Sequence, residues 1–132
     1  MQGERAIAAC IEYNHWAREI RRLTVEIGEV ECPREAAELE YDPEDPTADP
    51  DHRSHFRVER EVIVSTGGAY PEPRGPRRLD EIAAAVKDCP ACARLCALIA
   101  ERCEARKRWG VAKRKVRAIA RLAGAERAGS EG

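Results

Sequence analysis

The chain has 132 residues, of which 36% are charged, and only one Phe, two Trp and one Met to fill an interior. That is a single domain by length, but the composition argues against a two-layer globule with a large core and suits long, exposed helices. The formal net charge of −1 points to no class of partner, and the longest early apolar run, residues 6–11, is too short for a signal peptide or a membrane span. A protein that is intracellular, not secreted and without membrane contact is expected. Its six cysteines are then read as metal ligands or buried thiols rather than disulfides.

In chain order, residues 4–31 read as one long helix. Ala6, Ala9, Tyr13, Trp16, Ile20, Leu23, Ile27 and Val30 are spaced alternately three and four apart, an unbroken heptad seam that favours pairing with one long partner. Pro33 stops continuation past Cys32. Residues 33–88 read as a connector. Its first part, 35–51, holds eight acids and no base among several prolines and is expected to be irregular and extended. Residues 55–64 place Phe56, Val58, Val62 and Val64 on one parity, which predicts a short strand, ended by Gly67-Gly68 and the prolines at 71, 73 and 76. Residues 79–87 read as a short helix. Residues 90–124 form the second long helix, with Ala91, Leu95, Leu98, Arg102, Ala105, Trp109, Ala112, Val116, Ile119 and Ala123 again alternating fours and threes. Residues 125–132 are expected to be a disordered tail. At 1.5 Å per residue the two helices are roughly 42 and 51 Å long. The predicted fold is mainly α: an antiparallel two-helix coiled-coil hairpin with a small irregular or β excursion and one short helix. The same seam allows pairing between chains, so a homodimer is an alternative.

The strongest chemical signal is Cys89-Pro90-Ala91-Cys92, which opens the second helix, read together with Cys32 at the end of the first. One turn of Cys-x-x-Cys supplies two thiolates, and Pro90 in the first helical position makes Cys89 the N-cap, where free amides favour thiolate. An antiparallel pair brings Cys32 to the same end, which predicts a structural Zn2+ site at the neck of the hairpin. The fourth ligand falls to His55, Cys96 or His52. His55 is favoured because Phe56 beside it anchors that segment, whereas Cys96 reads as a core thiol. Cys10 and Cys103 read as packing thiols. A redox Cys-x-x-Cys lacks the surrounding βαβ pattern. No phosphate-binding glycine loop and no nucleophile paired with a histidine is present, and four protein ligands leave no position for catalytic water, so no enzyme is expected and no catalytic residue is assigned.

Residues 102–127 hold ten bases against Glu104 and Glu126. Arg106, Lys107, Arg108, Lys113, Arg114, Lys115, Arg117 and Arg121 are candidates for phosphate contacts. They equally suit an acidic protein surface or the acidic connector.

Tyr13-Asn14, the run Glu19-Ile20-Arg21-Arg22-Leu23-Thr24-Val25-Glu26-Ile27-Gly28, Cys89-Pro90-Ala91-Cys92 and the run from Gly110 to Ile119 resemble small accessory proteins of Mu-like, transposable phages and prophages. In that group a Cys follows the first helix, a His-apolar pair lies in the middle, and a Cys-x-x-Cys precedes the second helix, which here fall on Cys32, His55-Phe56 and Cys89/Cys92. The resemblance covers both helices, roughly half of the chain. It implies a phage protein of the bacterial cytoplasm and, from that setting, a non-enzymatic partner of a host protein or complex, such as a defence nuclease or a CRISPR-Cas complex. The alternative is a nucleic-acid-binding accessory factor that uses the basic second helix.

Overall fold

The computed structural model of the chain describes residues 2–61, 63–64, 72–73 and 78–131. It is mainly helical. Helix α1 spans Gln2–Glu29; α2, Pro33–Ala36, continues into a 3-10 turn over Ala37–Glu40; α3 spans His55–Arg60, α4 Leu79–Ala85 and α5 Pro90–Glu131. Strand β1, Ile63–Val64, pairs antiparallel with β2, Glu72–Pro73, with Ile63 opposite Pro73. The chain forms two compact units, Met1–Val25 with Glu101–Gly132, and Glu26–Ala100. Among the described residues no helix is long and apolar enough to cross a membrane.

In the first unit α1 packs on α5. Lys115 Nζ lies 3.4 Å from Glu12, the Tyr13 and Trp109 rings are 5.6 Å apart, the Arg108 guanidinium sits 5.1 Å over the Trp16 ring, and Arg102 Nη1 is 3.5 Å from Thr24 Oγ1. The partners descend along α5 as they ascend along α1, so the helices run antiparallel here. Every seam position of α1 from Ala6 to Leu23, and of α5 from Arg102 to Ile119, is buried or half-buried; Ala123 is exposed. The fully buried members are Ala9, Leu23, Ala105 and Ala112. Alanine at three of these four places lets the backbones approach closely but removes little apolar area from water, and burial free energy follows that area.

In the second unit each short element has a local cause. Cys32 is the N-cap of α2, with Pro33 in the first position, where the missing proline N–H costs nothing, and the Cys32 N–H donates to Glu35 Oε1 at 3.4 Å. Asp42, Asp45, Asp49 and Asp51 each accept from the backbone N–H two residues on, at 2.9–3.1 Å, a succession of Asx turns. Ser54 caps α3, its Oγ accepting from the Arg57 N–H at 3.1 Å. Arg53 then ties Asp51 (3.0 Å) to Glu61 (3.1 Å), which also pairs with Arg57. Asp80 and Glu81 occupy the first turn of α4, where they complement the helix dipole. Phe56, Ile82, Val86, Cys32, Cys89, Cys92 and Cys96 form the buried cluster of this unit, flanked by Leu79, Ala83, Ala91, Leu95 and Ile99.

Several expectations are corrected. Residues 55–60 are helical, not the start of a strand over 55–64: the Ser54 cap and the Arg57–Glu61 pair favour a turn of helix, and alternating apolar parity is too short a signal to overcome them. Extended pairing begins only at Ile63. Val62, Gly67-Gly68, Pro71 and Pro76 lie outside the described residues. Residues 33–40 are helical rather than irregular, because Pro33 starts a helix as readily as it ends one. Helix α5 continues to Glu131 in place of a disordered tail over 125–132; Ala125, Glu126, Arg127 and Ala128 are helix formers, and Gly132 lies outside the described residues. Cys10 and Cys103 are exposed, not packed.

Candidate metal centre

Three separate stretches of the second unit deliver four ligand groups to one point. Cys32 comes from the α2 cap, His55 from the first residue of α3, and Cys89 and Cys92 from the cap and first turn of α5. Their Sγ and ring-nitrogen atoms all lie within 4.8 Å of one another. Cys32 Sγ is 3.1 Å from His55 Nδ1 and 3.9 Å from Cys89 Sγ, and Cys92 Sγ is 4.0 Å from the same Nδ1. The three sulfurs are buried and the imidazole is half-buried. This is the one cluster of its kind among the described residues, and it could hold a metal ion.

The caps explain why the groups converge. Pro33 and Pro90 each start a helix directly after a cysteine, so Cys32 and Cys89 both sit where the first amides of a helix are free. Buried Ser54 fixes the entry to α3 and so places His55. Phe56, the next residue, fills the cluster beneath.

The thiols differ in their electrostatics. Burial alone would raise Cys32, but hydrogen bonds from the backbone amides of His55 and Arg34, and from the His55 side chain, outweigh it and hold the thiol at about 7, below its usual 9.0. Burial dominates at Cys92 and, with the neighbouring thiols Cys89 and Cys32, pushes it up to about 12. Cys96 is also raised by burial. A low-pKa thiolate at Cys32 beside the thiol that burial keeps neutral at Cys92 is a donor set a cation would complete, since it supplies the charge that the pocket otherwise excludes.

The other candidates for the fourth ligand fall elsewhere. Cys96 is buried in the apolar cluster but does not join the converging four. His52 stands edge-on to Tyr41 at 4.8 Å, with its Nε2 sealed from solvent and without a hydrogen-bond partner.

The basic residues of α5 are divided by the fold. Arg106, Lys113, Arg114 and Arg117 line one groove against α1. Lys113 lies 4.6 Å over the Trp109 ring. Arg108 instead pairs with Glu104 at 3.4 Å, and Lys115 with Glu12. Lys107 and Arg121 are exposed. Sequence reasoning missed Arg21 of α1, which lines the same groove; its place one residue after seam Ile20 was the available signal. In comparisons with known proteins, no family model, curated protein or solved structure matches the chain.

Proposed function

We propose that Cys32, His55, Cys89 and Cys92 hold one structural zinc ion, and that this ion pins the neck of an antiparallel helical hairpin in a non-enzymatic interaction protein. The observation that carries the reading is the convergence of four soft and borderline donors from three distant stretches. Zinc–sulfur bonds of about 2.3 Å in a tetrahedron put sulfurs about 3.8 Å apart, and Cys32 and Cys89 are 3.9 Å apart. Four protein ligands leave no open coordination position, which favours a structural over a catalytic ion. Donation from Nδ1 leaves the imidazole Nε2–H free for an outer partner.

The test is metal content. Protein purified without added zinc is expected to carry one zinc per chain and, after exchange, to show a tetrahedral thiolate spectrum with cobalt. Cys92→Ala should weaken metal binding by more than about 100-fold, as expected when a direct ligand is lost where outer-shell changes alone cost 10–100-fold. Cys96→Ala should keep the metal. Zinc well below one per chain, or equal loss in both variants, overturns the reading. The phage setting and a host-protein partner, such as a defence nuclease or CRISPR-Cas complex, rest on the resemblance of the two helices. Capture from host lysate by the wild-type chain, but not by Cys89→Ser/Cys92→Ser, is the result that reading requires.

A further inference from the structure

The first unit holds a groove of about 680 Å³ between α1 and α5. Arg21, Arg106, Lys113, Arg114 and Arg117 line it, and no acidic residue does. None of the five has an ion-pair partner among the described residues, whereas Arg108 and Lys115, outside the groove, are paired. The four from α5 fall on one helical face and extend over about 16 Å of helix. Tyr13 and Trp109, a tilted ring pair, also line the groove, and so does half-buried Gly110. Glycine in mid-helix costs about 1 kcal/mol relative to alanine. Here it leaves the groove open beside Trp109, and a Cβ on it would meet only Arg114 Nη1, at 3.9 Å.

We infer that this groove binds single-stranded nucleic acid, with phosphates on the row of cations and bases against Tyr13 and against the Trp109 ring, which Lys113 covers in the free chain and leaves when it turns to a phosphate. The inference does not rest on the metal centre, which lies in the other unit. Unpaired cations along a groove track a phosphate backbone, and aromatic faces accept any unstacked base. Duplex bases are already stacked and offer no free face to such a floor. An acidic peptide would satisfy the charges but make no use of the rings, so the strand is the better match.

The experiment is anisotropy of a labelled oligothymidylate with the full, metal-loaded chain, titrated against salt, with a duplex of equal length and polyglutamate as competitors. Binding is expected to weaken with salt at a log–log slope of up to about −3.5, about −0.7 for each of five contacts, and to quench tryptophan emission. Arg106→Gln/Arg117→Gln should bind at least 10-fold more weakly, with the slope shallower by about 1.4 and helicity unchanged. Lys107→Gln/Arg121→Gln, which removes equal charge outside the groove, should bind within about twofold of wild type. No binding near 0.05 M salt, tighter duplex binding, competition by polyglutamate equal to that of the oligonucleotide, or the same loss in both double variants would each overturn the inference.

Discussion

The two units of this protein solve the problem of a scarce apolar inventory in opposite ways. The α1–α5 unit uses repetition: a heptad seam with alanine at Ala9, Ala105 and Ala112 brings two backbones together, and apart from buried Leu23 its large seam side chains, Trp16 and Trp109 among them, stay half-exposed. The unit formed by Glu26–Ala100 uses concentration: Phe56, Ile82 and Val86 are the large apolar residues of its buried cluster, whose other members are cysteines, and Leu98 is buried outside that cluster. Each large aliphatic or aromatic side chain contributes about 1.5–3 kcal/mol on burial, whereas structural zinc contributes on the order of 10 kcal/mol coupled to folding. The first unit therefore stands on local periodicity, and on the proposed zinc reading the second depends on the ion.

Chelation should separate the units most strongly. Under a strong zinc chelator, amide exchange is expected to accelerate through 32–36, 54–60 and 79–95, where stability of the order of 10 kcal/mol is withdrawn, while 5–23 and 102–119 keep their protection. Uniform loss along both long helices would make the chain one cooperative body and end the comparison.

That difference was partly legible in the sequence. The seams of α1 and α5 could be read because burial there follows the 3.6-residue period along a single face. Cys32 could be read because Pro33 ends the first long helix there, and Cys89 and Cys92 because Pro90 marks a helix start and Cys-x-x-Cys spans one turn. The second unit was harder, because its elements are short and set by caps rather than by pattern. Ser54, three residues before Arg57, and Arg57, four before Glu61, held the signal for α3, yet the parity of Phe56 and Val58 favoured a strand. Arg21 stayed hidden because its role comes from the opposite helix, which no local window contains.

Proton release sharpens the comparison next. A thiol held below its usual value stabilises the metal-free fold above 9.0, and that contribution is lost as pH falls through about 7; Cys32 has this sign. Cys92, raised to about 12, has the opposite one, contributing below 9.0 and losing it as pH rises. If the second unit unfolds without metal, Cys32 reverts to an ordinary thiol, and zinc binding at about pH 7.5 displaces nearly one proton from each of the three thiols. Were the site preformed, Cys32 would already be mostly thiolate, and calorimetry in buffers of differing ionisation enthalpy would count most of one proton fewer. The full count is expected.

A smaller effect should appear on the other side. Ala112 is 1% exposed at the α1–α5 seam, so Ala112→Leu forces the helices apart at a cost of about 1–3 kcal/mol. Thermal melting should fall while zinc stoichiometry stays unchanged. A matching drop in metal content would show that the seam and the centre are coupled.

The smallest effect tests why the first unit tolerates a weak point at all. Gly110 lies in the middle of α5 with no near neighbour to clash with a methyl group beyond Arg114 Nη1 at 3.9 Å. On helix propensity alone, Gly110→Ala should stabilise the unit by up to about 1 kcal/mol, seen as a raised melting midpoint. If the glycine is there only by tolerance, nothing else changes. If it keeps the groove beside Trp109 open for a strand, the same substitution should weaken oligothymidylate binding a few-fold, about 0.5–1 kcal/mol, without altering the salt slope, because no cation is lost. Greater stability with poorer binding is the expected pair of results: it separates the steric role of the groove from its charge, which neither measurement does alone.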